Sequence, residues 1–276
     1  MVYVIRTIQH RNGVIEKTKF PVRSIDNNKT REDRREINRE AKNTGDARRN
    51  FARILNNNFL QGDSFVTLDL SDDGLRRVAK RADKLAAALT DKGQAMPERR
   101  DLMHQAMEQE MGNLHRRVLR ACGERSIGYV YASAVSDMVD QEDTECSARL
   151  HIHMVVNAEA TDIVRDKWRS MGSVKCEPLS AWASRGVPDW TGLATYIIGQ
   201  TRVVGKGKRY TISRTAQKPP HKDRIAVRPD AILRAPSGTV LLEQGAYVPG
   251  RAQYIRYIKM EFVDKDVGGD DDGIPI

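Results

Sequence analysis

An α+β fold, a partly antiparallel sheet with helices packed on it, is what the order of apolar patterns along this chain predicts. Three observations carry that expectation. In 149–156 (RLHIHMVV), apolar Leu150, Ile152, Met154 and Val156 alternate with the residues between them, the period of a strand. Between 72 and 123 the apolar residues instead recur at three and four, the period of a helix. Two strand patterns, 127–135 and 149–156, then succeed one another with no helix between them, which suits direct antiparallel pairing.

Taken in order, Val2, Val4 and Ile5 begin a short strand, and Asn12-Gly13 turns it into a hairpin. From 24 to 58 the pattern is helical and very basic, with Ala47, Phe51, Ile54 and Leu55 as its apolar stripe. The run 64–70 is a strand rich in β-branched and aromatic residues. Asp72 or Asp73 caps the next helix, which carries Leu75, Val78, Ala82, Leu85 and Leu89. A break at 93–97 precedes a second helix, whose Met103, Met107, Met111, Leu114 and Val118 form a core-packing stripe ending near Gly123. After the paired central strands come a helix at 162–171, a short strand at 174–176, a helical run at 190–200 and a Gly/Lys turn at 205–209. Beyond Pro219-Pro220 the pattern weakens to short strands at 240–242 and 255–262 and an acidic, glycine-rich tail. The division expected is a basic leader at 1–60, a central domain at 61–220 and a C-terminal extension at 221–276.

Composition narrows the class. With 276 residues there is ample core for one large or two small domains. No apolar run approaches the roughly 20 residues of a membrane span, and Met1–Arg6 lacks a signal-peptide pattern, so a cytoplasmic protein is expected. Three cysteines, Cys122, Cys146 and Cys176, have neither an even count nor paired ligand spacing, which argues against a disulfide framework or a zinc knuckle. A net charge of +9, with Arg31, Arg34, Arg35, Arg39, Lys42, Arg48, Arg49 and Arg53 gathered near one end, suits a phosphate backbone as partner.

The chemistry centres on His151 and His153. Two residues apart on a strand, they project from the same face, and paired imidazoles can bind one divalent ion. Tyr196, in the helical run further along, offers a hydroxyl able to attack a phosphodiester. Metal ligands, a tyrosine and a basic surface together make a coherent set for cutting and rejoining single-stranded DNA.

At four places, in order, the chain resembles the rolling-circle replication initiators of the HUH endonuclease superfamily, the phage- and plasmid-borne type. The segment 47–59 (ARRNFARILNNNF) is similar to their basic lead-in helix, and 65–70 (FVTLDL) to their first strand motif. The segment 149–156 resembles the metal-binding motif, and 192–201 (GLATYIIGQT) with 207–214 (GKRYTISR) the tyrosine helix and its basic trailer. The resemblance implies an HUH-type central antiparallel sheet flanked by helices, in a nicking domain spanning 61–220. His151 and His153 would ligate Mg²⁺ or Mn²⁺. Tyr196 would become linked to a 5′ phosphate and leave a free 3′ hydroxyl. Arg48, Arg49, Arg53, Lys208, Arg209 and Arg214 would contact single-stranded or hairpin origin DNA, and a host helicase and polymerase would be partners, since no phosphate-binding Gly-Lys-Ser/Thr loop is present.

Two positions depart from the family. A lysine common three residues after the tyrosine is Gly199 here, leaving Arg202 or Lys206 as substitutes. The glutamate common on the strand before the histidines is absent, leaving Asp137 as third ligand, with Glu142 and Glu145 as alternatives. Three other readings stand beside the first. One is a mobilisation relaxase, whose tyrosine however usually precedes the histidines. Another is a DNA-binding protein of the same fold that does not cut. The third is a small-molecule metal enzyme, which needs a further histidine such as His104, His115 or His221.

Overall fold

The computed structural model describes residues 2–22, 39–138, 149–184, 186–201, 203–204, 208–225, 232–245 and 252–263. They divide into two units. One comprises residues 61–181 and 192–216; the other joins 1–60, 182–191 and 217–276. The leader and the C-terminal extension expected as separate ends are thus parts of one unit, because their strands pair.

The unit built on 61–181 holds an antiparallel sheet in the order β6-β3-β5-β4-β7. Its strands are β3 (Ser64–Asp69), β4 (Tyr131–Met138), β5 (Arg149–Val156), β6 (Val174–Pro178) and β7 (Thr211–Ile212). Alternation decides its two faces. Val66, Leu68, Val135, Ile152, Met154 and Val156 are buried in one apolar cluster with three helices. These are α2 (Asp72–Asp91), contributing Val78 and Ala82; α3 (Arg99–Glu124), contributing Leu102, Met107, Met111, Leu114 and Val118; and α4 (Thr161–Trp168), contributing Ile163, Val164 and Trp168. Burying a side chain of this size is worth roughly 1.5–3 kcal/mol, so the methionine stripe of α3 is accounted for as core. The α2 cap differs from expectation. Ser71 accepts from the Gly74 N–H at 3.2 Å, while Asp72 and Asp73 occupy the first turn, where their charge favours the helix dipole. The strand expected from 127 starts at Tyr131. On the opposite face of the sheet lies α5 (Thr191–Gly199), held by buried Leu193, Ala194, Ile197 and Ile198.

The other unit has its own five-stranded antiparallel sheet, in the order β8-β1-β2-β10-β9. Here β1 (Val2–Gln9) and β2 (Val14–Val22) form the expected hairpin, and β8 (His221–Ile225), β9 (Thr239–Gln244) and β10 (Gln253–Lys259) come from the far end of the chain. Lys19 pairs with Gln253 and Ile8 with His221. The turn needs glycine: Gly13 has φ +93°, and a Cβ there would stand 2.3 Å from the Phe262 ring. Helix α1 (Arg39–Asn58) buries Phe51, Ile54 and Leu55; the part of the expected helix before Arg39 lies outside the described residues. Its buried Asn56 accepts from the Asn12 side chain at 2.8 Å and from the Trp190 N–H at 2.9 Å, while the Trp190 indole donates to the Phe59 carbonyl at 3.0 Å. Those bonds tie 182–191 to α1 and satisfy polar groups that burial would otherwise penalise.

Candidate metal and nucleophile site

The site is built on the face of the β3–β5–β4 sheet that the three core helices leave uncovered. Register sets its rows. His153 stands between Thr67 of β3 and Ala134 of β4, and His151 between Asp69 and Ser136. The helix α5 brings Tyr196 over this face, and Gln200 comes just past its end. Four side chains therefore meet from one strand, one helix and the residue that follows it.

The Nε2 atoms of His151 and His153 are 3.0 Å apart, and the His153 Nε2 is 2.7 Å from the Gln200 Oε1. The Ser136 hydroxyl donates to the same Gln200 oxygen at 3.0 Å. Thr67 Oγ1 lies 3.3 Å from the His153 Nδ1. If Nδ1 carries the ring proton and donates to Thr67, the Nε2 lone pair faces both His151 Nε2 and the Gln200 oxygen. One proton among these three atoms cannot satisfy every pair, whereas a cation accepting a lone pair from each would. Donors bound at 2.0–2.2 Å around one ion stand about 3 Å apart, which is close to the separation of the His153 Nε2 from each of the other two atoms. The donor set, two imidazoles and an amide oxygen, is compatible with Mn²⁺ or Mg²⁺, so the residues present fit the ion. Burial, and secondarily the neighbouring His151, push the His153 pKa down to about 4. Its imidazole is neutral at pH 7, the form that ligates metal.

Tyr196 is 40% exposed, so part of its side chain faces solvent. Its ring centroid lies 5.2 Å from that of His153, and 6.3 Å edge-on from that of Phe65, which itself stands 5.3 Å from His153. Buried Phe65 thus touches both the tyrosine and the histidine and fixes their mutual position.

Gln200 is the residue that sequence reasoning missed as a ligand. The signal was its place four residues after Tyr196, which puts the two on one side of a helix a turn apart. Asp137 does not take the expected role by register. Its backbone pairs with Leu150, while Ser136 and Ala134 stand opposite the histidines; its side chain, like Glu142 and Glu145, lies outside the described ones. Arg202 and Lys206 also lie outside the described residues. A different cation, missed in the sequence, occupies the site face. Lys175 of β6 stands opposite Thr67 in the row that contains His153, it is largely exposed, and it pairs with Glu177 at 2.6 Å. The Glu177 hydrogen bond chiefly, and the Tyr196 hydroxyl in smaller part, raise its pKa.

The expected DNA-contacting residues divide between the units. Lys208, Arg209 and Arg214 belong to the histidine unit; Lys208 and Arg214 are exposed, and Arg209 donates to the Thr201 carbonyl at 2.9 Å. Arg48, Arg49 and Arg53 belong to α1 of the other unit. Arg48 is exposed, Arg49 pairs with Asp46, and Arg53 pairs with buried Glu16 at 2.8 Å. Arg53 is therefore committed to holding a carboxylate within its own unit.

Among the described residues, no group of three His, Cys, Asp or Glu is gathered as a metal site. The further histidine that a small-molecule metal enzyme would need is not supplied by α3. His115 is buried on the opposite face of the sheet, its nitrogens 2.8 Å from the Tyr129 hydroxyl and 2.8 Å from the Ser133 hydroxyl. His104 is buried on the same helix, and His221 belongs to the other unit. No helix among the described residues is long and apolar enough to cross a membrane. No family model, curated protein or solved structure matches the chain.

Proposed function

We propose that the chain is a rolling-circle replication initiator that nicks single-stranded origin DNA through Tyr196. The observation that supports this reading most is the meeting, on one sheet face, of three converging lone-pair donors (His151, His153, Gln200) with an exposed tyrosine ring 5.2 Å from His153. A ligating trio alone fits many metalloproteins. The accessible phenol beside it favours phosphoryl transfer.

In this mechanism the Tyr196 oxygen attacks the scissile phosphorus. The phenol loses its proton to solvent, a tyrosine–phosphorus bond forms, and the bond from phosphorus to the 3′ oxygen breaks. The 3′ oxygen leaves, takes up a proton and becomes the free 3′ hydroxyl; the energy of the broken bond is kept for rejoining. Phe65 and His153 hold the phenol against the sheet, limiting the orientations it samples before attack. Thr67 holds the His153 ring, and Ser136 holds the Gln200 amide, so the donor atoms keep their convergence. A Mg²⁺ or Mn²⁺ ion held by His151, His153 and Gln200 would polarise a phosphoryl oxygen. Lys175 adds a positive charge on the same face as the phosphate's negative charge accumulates.

The test is incubation with Mn²⁺ and circular single-stranded DNA of its own replicon, read on denaturing gels. A protein-linked DNA band that requires metal and is lost in Tyr196→Phe is the expected result. Tight DNA binding with no band at any metal concentration would overturn nicking in favour of a non-cutting DNA-binding protein of this fold.

A further inference from the structure

In the sheet built from the two ends of the chain, every acidic residue of the described strands lies on one face. Glu16, Asp223 and Glu243 share it, and each meets an arginine. Arg53 pairs with Glu16 at 2.8 Å, Arg6 with Asp223 at 2.7 Å, and Arg256 with Glu243 at 3.5 Å. Alternation sends a different set to the opposite face. Register puts Lys222 of β8, Thr7 of β1 and Lys17 of β2 in one row, and Arg224, Ile5 and Lys19 in the next. Tyr3 and Tyr257 lie on the same face, with the Lys19 ammonium 5.3 Å from the Tyr3 ring centroid and the Lys17 ammonium 5.5 Å from that of Tyr257. The β10 end is closed: Gln253, Ile255 and Tyr257 are buried, and Gln253 accepts from the Leu233 N–H at 2.9 Å. Lys19 is closed off with them at 2% exposure, whereas the β8–β1 end is open, with Lys222 and Arg224 exposed and Tyr3, Ile5, Thr7 and Lys17 half-buried.

We infer that this basic face of the β8–β1–β2 sheet is a second binding surface for single-stranded DNA, separate from the histidine site. Cations two residues apart on a strand stand about 6.7 Å from one another, and adjacent strands add rows about 4.8 Å away. Lys222, Arg224 and half-buried Lys17 thereby form a patch of positive charge along which a flexible phosphodiester backbone can run. A rigid duplex offers its phosphates on a convex cylinder, whereas a single strand can track a sheet and place a base against the half-buried Tyr3 ring and lysine stems. The complementary charge is therefore a polyanion, and the aromatic content selects one with accessible bases. The surface needs neither Tyr196 nor a metal ion, so it goes beyond the nicking reading.

The test uses the full chain and a fluorescein-labelled oligothymidylate, monitored by anisotropy between about 50 and 200 mM salt. Lys222→Ala with Arg224→Ala removes two exposed cations from an edge strand, and an unchanged thermal melt establishes that the variant folds. The expected result is about tenfold weaker binding, with the log–log salt slope reduced by about 0.7 for each phosphate no longer neutralised. Restoring charge with Lys222→Arg and Arg224→Lys should recover most of the affinity. Unchanged affinity and slope in the alanine variant would overturn the inference. So would an equal loss of affinity for duplex DNA, which would mean a surface blind to strandedness. A parent that binds but never forms an adduct overturns only the nicking reading; a parent that nicks while the alanine variant binds unchanged overturns only this one.

Discussion

Two antiparallel sheets of five strands each sit in this chain, and they handle polar side chains in opposite ways. The β3–β5–β4 sheet keeps one face largely apolar against its helices and gathers a small, nearly neutral polar cluster on the other, with His153 depressed to about pKa 4. The β1–β2–β10 sheet carries charge on both faces, ion pairs on one and cations on the other. Its buried Glu16 is bonded to His10 at 2.9 Å and to Arg53. Burial alone would raise the Glu16 pKa most, but the His10 hydrogen bond and the Arg53 charge outweigh it and leave it lowered. Neutral donors that converge suit the capture of a cation. Charges already neutralised on one face, with cations in excess on the other, suit the capture of a polyanion. The same architecture serves two kinds of electrostatics because the side chains on alternate positions are independent choices.

The largest expected effect separates the two sheets directly. Glu16→Ala leaves Arg53 and His10 facing each other with no carboxylate, and breaking a buried pair of this kind costs about 3–5 kcal/mol. Denaturant unfolding monitored by tryptophan fluorescence should show that loss in the unit containing Trp190, while Trp168 in the other unit reports little change. If both probes move together, the two units unfold as one and the sheets do not differ in this way.

Next in size is the ligand trio. Gln200→Ala should reduce apparent Mn²⁺ affinity and adduct formation about 10–100-fold, the range for losing one member of a metal site. Gln200→Glu keeps an oxygen donor and should recover most of it. A Gln200→Ala variant with parental Mn²⁺ affinity by calorimetry would remove the amide from the site.

Acid distinguishes the sheets by window. His115 has its pKa pushed down to about 3 by burial, from an ordinary value near 6.5. The unfolded chain then takes up this proton before the folded one does. Stability is full above pH 6.5 and falls as pH drops from there toward 3, by about 2 kcal/mol at pH 5. The lowered Glu16 carboxylate begins to lose its contribution only as pH falls into the ordinary carboxylate range and loses it below that. Unit-specific melts on acidification should therefore weaken the His115 unit first, and His115→Gln should flatten that pH dependence. The reverse order would contradict the assignment.

Smallest is Lys175→Ala, which removes a largely exposed cation. Adduct formation should slow about threefold to tenfold, with Mn²⁺ affinity and melting temperature unchanged. Lys175→Arg should restore the rate.

Much of the histidine unit was legible in the sequence, because its elements are fixed by local period. The alternation around His151 and His153, the stripe from Met103 to Val118 and the helix bearing Tyr196 all report their own burial. The other unit was legible only in pieces: its hairpin, its basic helix and short strands near 240–242 and 255–262. Its sheet exists only by pairing residues 2–22 with residues 221–259, and no local pattern announces a partner that distant. Buried charges such as Glu16, Lys19 and Arg256 also break the apolar alternation that would mark β2 and β10 as covered strands. At the site, the histidines declared themselves by spacing. Gln200 did not, because an amide reaching back from a helix end depends on how α5 lies on the sheet. Lys175 was hidden for the same reason, being brought to the site by β6 pairing with β3.

The pairing of Lys19 with Gln253 has a consequence for biosynthesis. The histidine unit is nearly continuous in the chain, so its sheet can close while the last segment is still being made. The hairpin of β1 and β2 must wait for β8 and β10, on the order of ten to fifty seconds at 5–20 residues per second. Throughout that interval both outer edges of the hairpin are bare, a template for pairing with a neighbouring nascent chain. Glu16, Lys17 and Lys19 on β2, with Pro21 beside them, are the residues that discourage such pairing. The charges that sort themselves by face in the finished sheet thus also guard the hairpin during the wait.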